Sequence, residues 1–302
     1  MRTKLVTGYW MDIVEKGYTG AMPARKSRYL GSIISHCRGF QYPVVCYTHA
    51  RNLNELQTIK EEYNLTNLEI KVKELSEIKY SRQIRGLQDN KTQEEIERFC
   101  LSGRPPEVMW GKFDVMKEEC TDDVDYVYWV DAGLQSNQIF PYRHCPDKDA
   151  PDLHQHPYKQ YNFTLVFNRE MLDKLTQKSD GKFVTLVGTN PQDGYHSFQD
   201  YSPKPGNYPI AGFFGGAKEV VREYCDLFTQ GVNKHIEAGI LCFEQAIMKY
   251  VTDTIEPSKL QLHVFETHQT GIDVDTFHYK VWDSSLGLPK PIFRIWEEIL
   301  EN

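Results

Sequence analysis

Residues 5–10 and 42–47 are short runs of apolar, aromatic and β-branched residues, and between them residues 24–37 set Tyr29, Leu30, Ile33 and Ile34 at helical spacing. This pattern predicts a β-α-β unit. A second amphipathic helix is expected over 53–63, followed by a strand in which Leu68, Ile70 and Val72 alternate with Glu69, Lys71 and Lys73. Residues 94–101 and 106–119 read as helices, the second beginning at a Pro-Pro pair that suits a first helical turn, where an N–H has no helical partner anyway. Residues 125–131 form the next strand, with its apolar content at 127–130. Strands alternating with helices in this way predict an α/β fold, a mostly parallel sheet with helices on both faces.

The pattern changes between 134 and 209. Pro, His, Asp and Gly are dense over 141–157 and again over 190–208, so long loops are expected. Strands at 163–166 and 183–187 and a helix at 169–178 stand between them, and the segment reads as an elaboration on one face of the sheet. Beyond it, 210–214 is a strand running into Gly215-Gly216, and 217–228 is a helix bearing Val220, Val221, Tyr224, Leu227 and Phe228. A short helix at 244–251, a strand at 260–265 and a closing helix at 291–300 complete one domain without internal repeats.

Composition narrows the function classes. The 302 residues are 40% hydrophobic and 25% charged, with 18 Tyr, which separates the chain from aromatic-poor disordered sequences. A net charge of -7, with no basic run of five or more, disfavours duplex nucleic acid as a partner. No window gives 18 uninterrupted apolar residues, and the opening residues lack a signal-peptide pattern, so no transmembrane segment is expected. The 7 cysteines are scattered and never form C-x-x-C, which fits reduced thiols and a cytoplasmic setting. Cys145 with His144, His154 and His156 has no standard zinc spacing.

The residue that stands out is Asp131, at the carboxyl end of the most hydrophobic strand, in Tyr128-Trp129-Val130-Asp131-Ala132-Gly133. Ligands of open parallel sheets bind beyond that end of the strands. A carboxylate there is costly to bury unless it is paired or binds a cation, and Gly133 would let a diphosphate approach the backbone. An Asp that simply caps the following turn is the competing reading. Glu244 starts a short helix, where the macrodipole favours its charged form; it is a candidate general base or a cap. Gly212 to Gly216 is either backbone that packs on a sugar or a strand end with a tight turn. Arg25, Lys26 and Arg28 near the first helix, Arg82 and Arg85 in an expected loop, and Lys112 are candidate diphosphate ligands, with Arg28 and Lys112 preferred; solvated surface is the alternative for each.

Taken in order, Leu5-Val6-Thr7-Gly8-Tyr9-Trp10-Met11-Asp12-Ile13, Lys112, the Asp131 motif, Ala211-Gly212-Phe213-Phe214-Gly215-Gly216 and Glu244-Gln245 resemble the bacterial HtrL/YibB-type family, whose members look like glycosyltransferases of the GT-A fold. The resemblance spans about residues 4–252 and is weak over 135–209. It implies a nucleotide-sugar donor, a UDP-sugar being favoured, and a glycan or other hydroxyl acceptor. It also implies a nucleotide-binding half at 1–134, acceptor-side loops at 135–209 and a catalytic C-terminal half at 210–302. Thr7, Gly8, Tyr9, Asp12, Ala132 and Gly133 would line the donor pocket, with Gly215 and Gly216 against the sugar.

Asp131 stands where GT-A enzymes carry an Asp-x-Asp motif that binds a metal, but the third position here is Gly133. One carboxylate remains for Mn²⁺ or Mg²⁺, which needs about six oxygen or nitrogen ligands in all. His263, His268 and His278 are candidates for another ligand. His278-Tyr279-Lys280-Val281-Trp282 is similar to a late His-x-Lys-x-Trp region of some GT-A enzymes, which implies His278 on the metal and Lys280 on the diphosphate. Two other classes stay open: a sugar- or nucleotide-binding protein without catalysis, which the missing second acid suggests, and a phosphoryl or nucleotidyl transferase. The last requires converging carboxylates, and Asp125 and Asp131 lie roughly 20 Å apart on one strand.

Overall fold

The computed structural model describes residues 1–11, 23–90, 92, 106–133, 169–188, 208–265, 281–283 and 288–290. In chain order the main elements are β1 (Thr3–Tyr9), α1 (Pro23–Phe40), β2 (Val44–Thr48), α2 (Leu53–Glu62), β3 (Leu68–Val72), α3 (Ser81–Asp89), α4 (Pro106–Glu118) and β4 (Tyr126–Val130). They continue with α5 (Arg169–Ser179), β5 (Phe183–Gly188), β6 (Tyr208–Ala217), α6 (Lys218–Glu237), α7 (Glu244–Thr254) and β7 (Leu260–Phe265). A short hairpin of β8 (Val281–Asp283) and β9 (Leu288–Lys290) stands apart from the sheet. Among the described residues no helix is long and apolar enough to cross a membrane.

Seven strands form one sheet in the order β3-β2-β1-β4-β6-β5-β7. All neighbours are parallel except β6, which runs against both β4 and β5. The chain is therefore an α/β fold with a mostly parallel sheet. Period-2 alternation divides its strands between two cores. Leu5, Tyr9, Val44, Cys46, Tyr128, Val130, Val184 and Phe213 face α1, α2 and α5, where they meet Ile33, Ile34, Leu56, Ile59, Leu172 and Leu175. Val6, Val45, Tyr47, Val127, Trp129, Phe183 and Phe214 face α3, α4, α6 and α7, where they meet Ile84, Trp110, Phe113, Tyr224, Phe228 and Ile247. Helices on both faces are thus demanded by a sheet that is apolar on both faces.

Three expectations are corrected. Part of the 135–209 segment is not an elaboration on one face: β5 pairs with β6 and β7 inside the main sheet, and α5 packs into the core beside α1. Arg82 and Arg85 lie in a helix, not a loop, and Arg85 Nε pairs with the buried Glu107 at 2.6 Å. Gly215 and Gly216 do not end a strand. They lie inside β6, where a Cβ on Gly215 would sit 2.2 Å from the Val127 carbonyl oxygen and one on Gly216 2.2 Å from that of Lys182. Their bare backbone lets β6 fit between its neighbours.

The helices predicted at 94–101 and 291–300 and the strand at 163–166 lie outside the described residues. The helix expected over 217–228 runs on to Glu237 through Gly231. A Cβ there would meet Ile247 at 2.8 Å and Tyr250 at 2.9 Å, so the glycine that looks like a breaker is what lets α6 and α7 approach.

Candidate functional site

The strand order fixes where a ligand can bind. From β1 the chain crosses to β2 and β3 on one side, then returns to place β4 on the other side of β1. The β1/β4 boundary is therefore a topological switch point, and connections leaving there in opposite directions open a crevice beyond the carboxyl ends of the strands. Asp131 follows β4 at that crevice, and Trp10 and Met11 follow β1.

Side-chain alternation carries Asp131 to the same face as Trp129, toward α4 and α7. Its Oδ1 accepts a hydrogen bond from Trp129 Nε1 at 2.8 Å and lies 3.1 Å from Lys112 Nζ. Lys112 projects from the middle of α4 and is 2% exposed. Its ammonium also donates to Glu244 Oε1 at 2.9 Å and to the Ala211 carbonyl at 3.1 Å, and it lies 5.5 Å from the centre of the Trp129 ring. An ammonium has three protons, and here it faces three acceptors. Among the described residues two carboxylates thus share one cation in a nearly dry setting.

Glu244 comes to this cluster from the first residue of α7, whose N-cap, Phe243, makes no side-chain cap. Its Oε1 is on Lys112, and its Oε2 is buried without a hydrogen-bond partner among the described residues. The capping alternative for Glu244 is therefore not what its side chain does. The turn-capping alternative for Asp131 is likewise not what its Oδ1 does, since that atom is on Trp129 and Lys112.

The backbone of Asp131 is held from both sides. Its N–H donates to the Gly212 carbonyl at 2.8 Å, and its own carbonyl accepts from His36 Nε2, on α1, at 3.1 Å. His36 is fully buried. Burial pushes its imidazole down to about 4, against the opposing pull of the Asp131 carbonyl and carboxylate, so the ring is neutral near pH 7.

The remaining expected residues fall into distinct groups. Thr7, Gly8 and Tyr9 lie in β1 beside β4, but Thr7 and Tyr9 are fully buried, and the Tyr9 hydroxyl is bound to Glu55 at 3.0 Å. A Cβ on Gly8 would fall 2.2 Å from the Trp10 ring, and one on Gly133 would fall 2.5 Å from the Tyr29 ring. The missing side chains at both glycines make room for aromatic rings, not for a phosphate. Ala132 is buried among the residues that face α1. Lys112, expected on a diphosphate, donates to Glu244 and Ala211 and is ion-paired with Asp131.

Gly215 and Gly216 pair with Tyr128 and Val127, three and four residues back along β4 from Asp131, which puts them about 10–13 Å from it along the strand. They are not brought to this crevice; Ala211 and Gly212 are. Lys26 pairs with Glu55. His263 lies on β7, three strands from β4, about 14 Å across the sheet. Asp125 is at the opposite end of β4, bonded to Arg2 at 2.8 Å. Asp12, His268, His278, Lys280 and the zinc candidates lie outside the described residues, as does the side chain of Arg28 in α1.

Sequence reasoning missed His36 and the part played by Trp129. A signal for His36 was present, since it is a polar residue between Ile33, Ile34 and Cys37 on the apolar stripe of α1.

The chemistry of the donor set bears on the expected metal. Among the described residues no group of three or more His, Cys, Asp or Glu could hold an ion. The two carboxylates present already flank an ammonium that a divalent ion would have to face at short range. The described carboxylates do not by themselves make a Mn²⁺ or Mg²⁺ site, and His278, the other expected ligand, lies outside the described residues.

No protein-family profile matches the chain, and no curated protein matches it. Solved structures that resemble it include a 4-diphosphocytidyl-2C-methyl-D-erythritol synthase from Anaerococcus prevotii, with 7% identity and a TM-score of 0.42 over 99% of this chain and 96% of that one. Another, from Desulfovibrio desulfuricans G20, is a protein named for nucleotide-diphospho-sugar transfer, with 8% identity and a TM-score of 0.39 over 87% of this chain and 80% of that one. At such scores neither likeness bears on the chemistry of the crevice.

Proposed function

We propose that the chain is a glycosyltransferase that moves a sugar from a nucleoside-diphosphate sugar, a UDP-sugar by preference, to a glycan or other hydroxyl acceptor, with the sugar-diphosphate end of the donor in the crevice at Asp131. One observation carries the proposal: at the topological switch point of the sheet, Asp131 and Glu244 flank the buried Lys112, and Glu244 Oε2 is buried without a hydrogen-bond partner among the described residues. A carboxylate oxygen buried without a partner is costly, and a bound sugar hydroxyl would satisfy it.

In this reading Asp131 and Glu244 accept hydrogen bonds from donor or acceptor hydroxyls. Glu244 takes the acceptor proton through Oε2 as the sugar transfers, while Lys112 holds both carboxylates in direction. The diphosphate leaves with developing negative charge, which positive groups must stabilise. Lys112 is already engaged by Glu244, Asp131 and Ala211, so that part is assigned to Arg28 and Lys280. No step is assigned to a metal.

The test is a thermal-shift screen of nucleoside-diphosphate sugars, followed by an assay for nucleoside-diphosphate release from any sugar that binds. The expected result is stabilisation by one donor class and turnover that Asp131→Asn removes. A ligand at about a hundred times its Kd adds about 2.7 kcal/mol, so a true donor is easily seen. Binding without release would make the chain a sugar- or nucleotide-binding protein. A complete absence of binding would defeat the proposal.

A further inference from the structure

Asp131 lies just past the end of β4, so its carboxylate can point in one direction only if the backbone beyond the strand is itself held. That backbone is fixed at two atoms: the Asp131 N–H on the Gly212 carbonyl, and the Asp131 carbonyl on His36 Nε2. A carbonyl only accepts, so His36 Nε2 carries the proton. Its Nδ1 is buried and has no partner among the described residues, and a proton placed there would have no acceptor. The geometry therefore selects the neutral Nε2–H tautomer.

The contact belongs to a stripe of α1. Tyr29, Ser32 and His36, three and four residues apart, lie on one side of the helix. The Tyr29 ring fills the place a side chain at Gly133 would take, and Ser32 Oγ lies 3.4 Å from His36 Nε2. The carboxylate end of Asp131 is tied to the opposite face of the sheet, through Trp129 Nε1 and Lys112 Nζ.

We infer that His36 is a positioning residue: it grips the Asp131 carbonyl from one face of the sheet and so sets the direction of the Asp131 carboxylate on the other. Its bearing on transfer rests on the donor-site reading of Asp131. The grip itself does not, and it has its own reporter. The Trp129 indole N–H donates to the carboxylate whose direction is at issue, so its resonance and its exchange with solvent follow Asp131 without any substrate.

The experiment uses the full ¹⁵N-labelled chain, with His36→Phe, which keeps a ring and loses the donor, and His36→Gln, which keeps a donor. In His36→Phe the Trp129 indole resonance moves and its hydrogen exchange quickens about tenfold or more, whereas His36→Gln stays within about threefold of the wild type. If His36→Phe fails to fold, the ring nitrogens of wild-type His36 decide instead. Protonated Nε2 and bare Nδ1 support the inference, and the reverse tautomer overturns it. A folded His36→Phe with an unmoved indole also overturns it. Failure of the donor-site reading shows differently: the indole moves as expected, yet Asp131→Asn and His36→Phe leave both the binding and the turnover of a UDP-sugar unchanged.

Discussion

Two buried clusters of charge lie on the same face of the sheet and are built on opposite plans. Around Glu119, one carboxylate receives Lys71 Nζ at 2.5 Å, the Tyr47 hydroxyl at 2.6 Å and Lys4 Nζ at 3.1 Å, so both of its oxygens are satisfied by two cations and a phenol. Burial would raise this carboxyl, but the bonds from Lys71, Tyr47 and Lys4 outweigh burial and hold it below its ordinary range. Around Lys112 the ratio among the described residues is inverted: two carboxylates flank one cation, and Glu244 Oε2 has no hydrogen-bond partner there. A cluster complete in itself fastens strands and helices together. A cluster short of donors, placed at the crevice, is built to be completed by something else.

The largest effect should come from removing the cation of the deficient cluster. Lys112→Met leaves Asp131 and Glu244 as two buried carboxylates facing each other, and breaking a buried pair in this way costs about 3–5 kcal/mol. Urea unfolding should show that loss. Added Mn²⁺ should restore part of it in the variant and do little for the wild type, because only the variant has an acidic pair without its ammonium. Equal stabilisation of both proteins by Mn²⁺ would mean that an ion binds at the crevice beside Lys112, and the contrast between the clusters would need another basis.

Asp131→Asn comes next. The amide keeps the shape and can still accept from Trp129 Nε1, but it removes one charge from a cluster that has an excess, so the fold should survive. Transfer should fall by at least about 10³-fold, roughly 4 kcal/mol in the barrier. Near-normal turnover in a folded variant would reduce Asp131 to a member of a structural network like that of Glu119.

The third effect concerns pH. His36 is held neutral, its value lowered from the ordinary 6.5 to about 4, so the unfolded chain binds the extra proton first. The stability that depends on neutral His36 is complete above pH 6.5 and is lost as pH falls toward 4, about 2–3 kcal/mol by pH 4.5. His36→Gln should remove that part of the acid slope. Parallel stability curves for the two proteins between pH 7 and 4.5 would show that His36 is not buried neutral. The Glu119 cluster adds little between pH 7 and 4.5, because its carboxyl is lowered from an ordinary 4.5 and its share of the acid slope begins only at about that pH.

Most of the sheet was legible in the chain, because strands with two apolar faces and helices with one leave strong periodic signals, and Asp131 could be found as the charge at the end of the most apolar strand. What escaped has physical causes. Ser81–Asp89 offers only Ile84 and Leu87 as apolar anchors, with Gly86 between, too sparse a stripe to register as a helix. Gly215 and Gly216 looked like a turn because glycine's commonest use is local, whereas here the need is set by β4 and β5, remote in sequence. Lys112 was visible as a candidate. Its partner Glu244 lies 132 residues away, so their pairing could not be read from spacing. The same holds for His36 and Asp131, 95 residues apart.

The smallest effect, and the sharpest comparison, is a matched pair of isosteric changes. Glu119→Gln removes the buried carboxylate between two cations, leaves Lys4 and Lys71 without it, and places an N–H₂ donor where one of its acceptor oxygens stood. Stability should fall by about 1–3 kcal/mol, the cost of unsatisfied buried groups, and transfer should be untouched because no atom of the cluster reaches the crevice. Glu244→Gln removes one of two carboxylates from a cluster with an excess of them. Asp131 and Lys112 are left as a balanced pair, and the amide oxygen can still accept from Lys112, so stability should stay within about 1 kcal/mol of the wild type. Turnover, however, should drop about 10²-fold with donor affinity nearly intact, since Oε2 loses its capacity to take a proton. The two substitutions therefore have crossed signatures, stability without turnover and turnover without stability. Denaturant titration and a transfer assay on both proteins measure them. If Glu244→Gln instead lowers stability as much as Glu119→Gln and leaves turnover within about threefold, the missing donor at Oε2 is only an imperfectly satisfied salt bridge, and Glu244 has no part in the reaction.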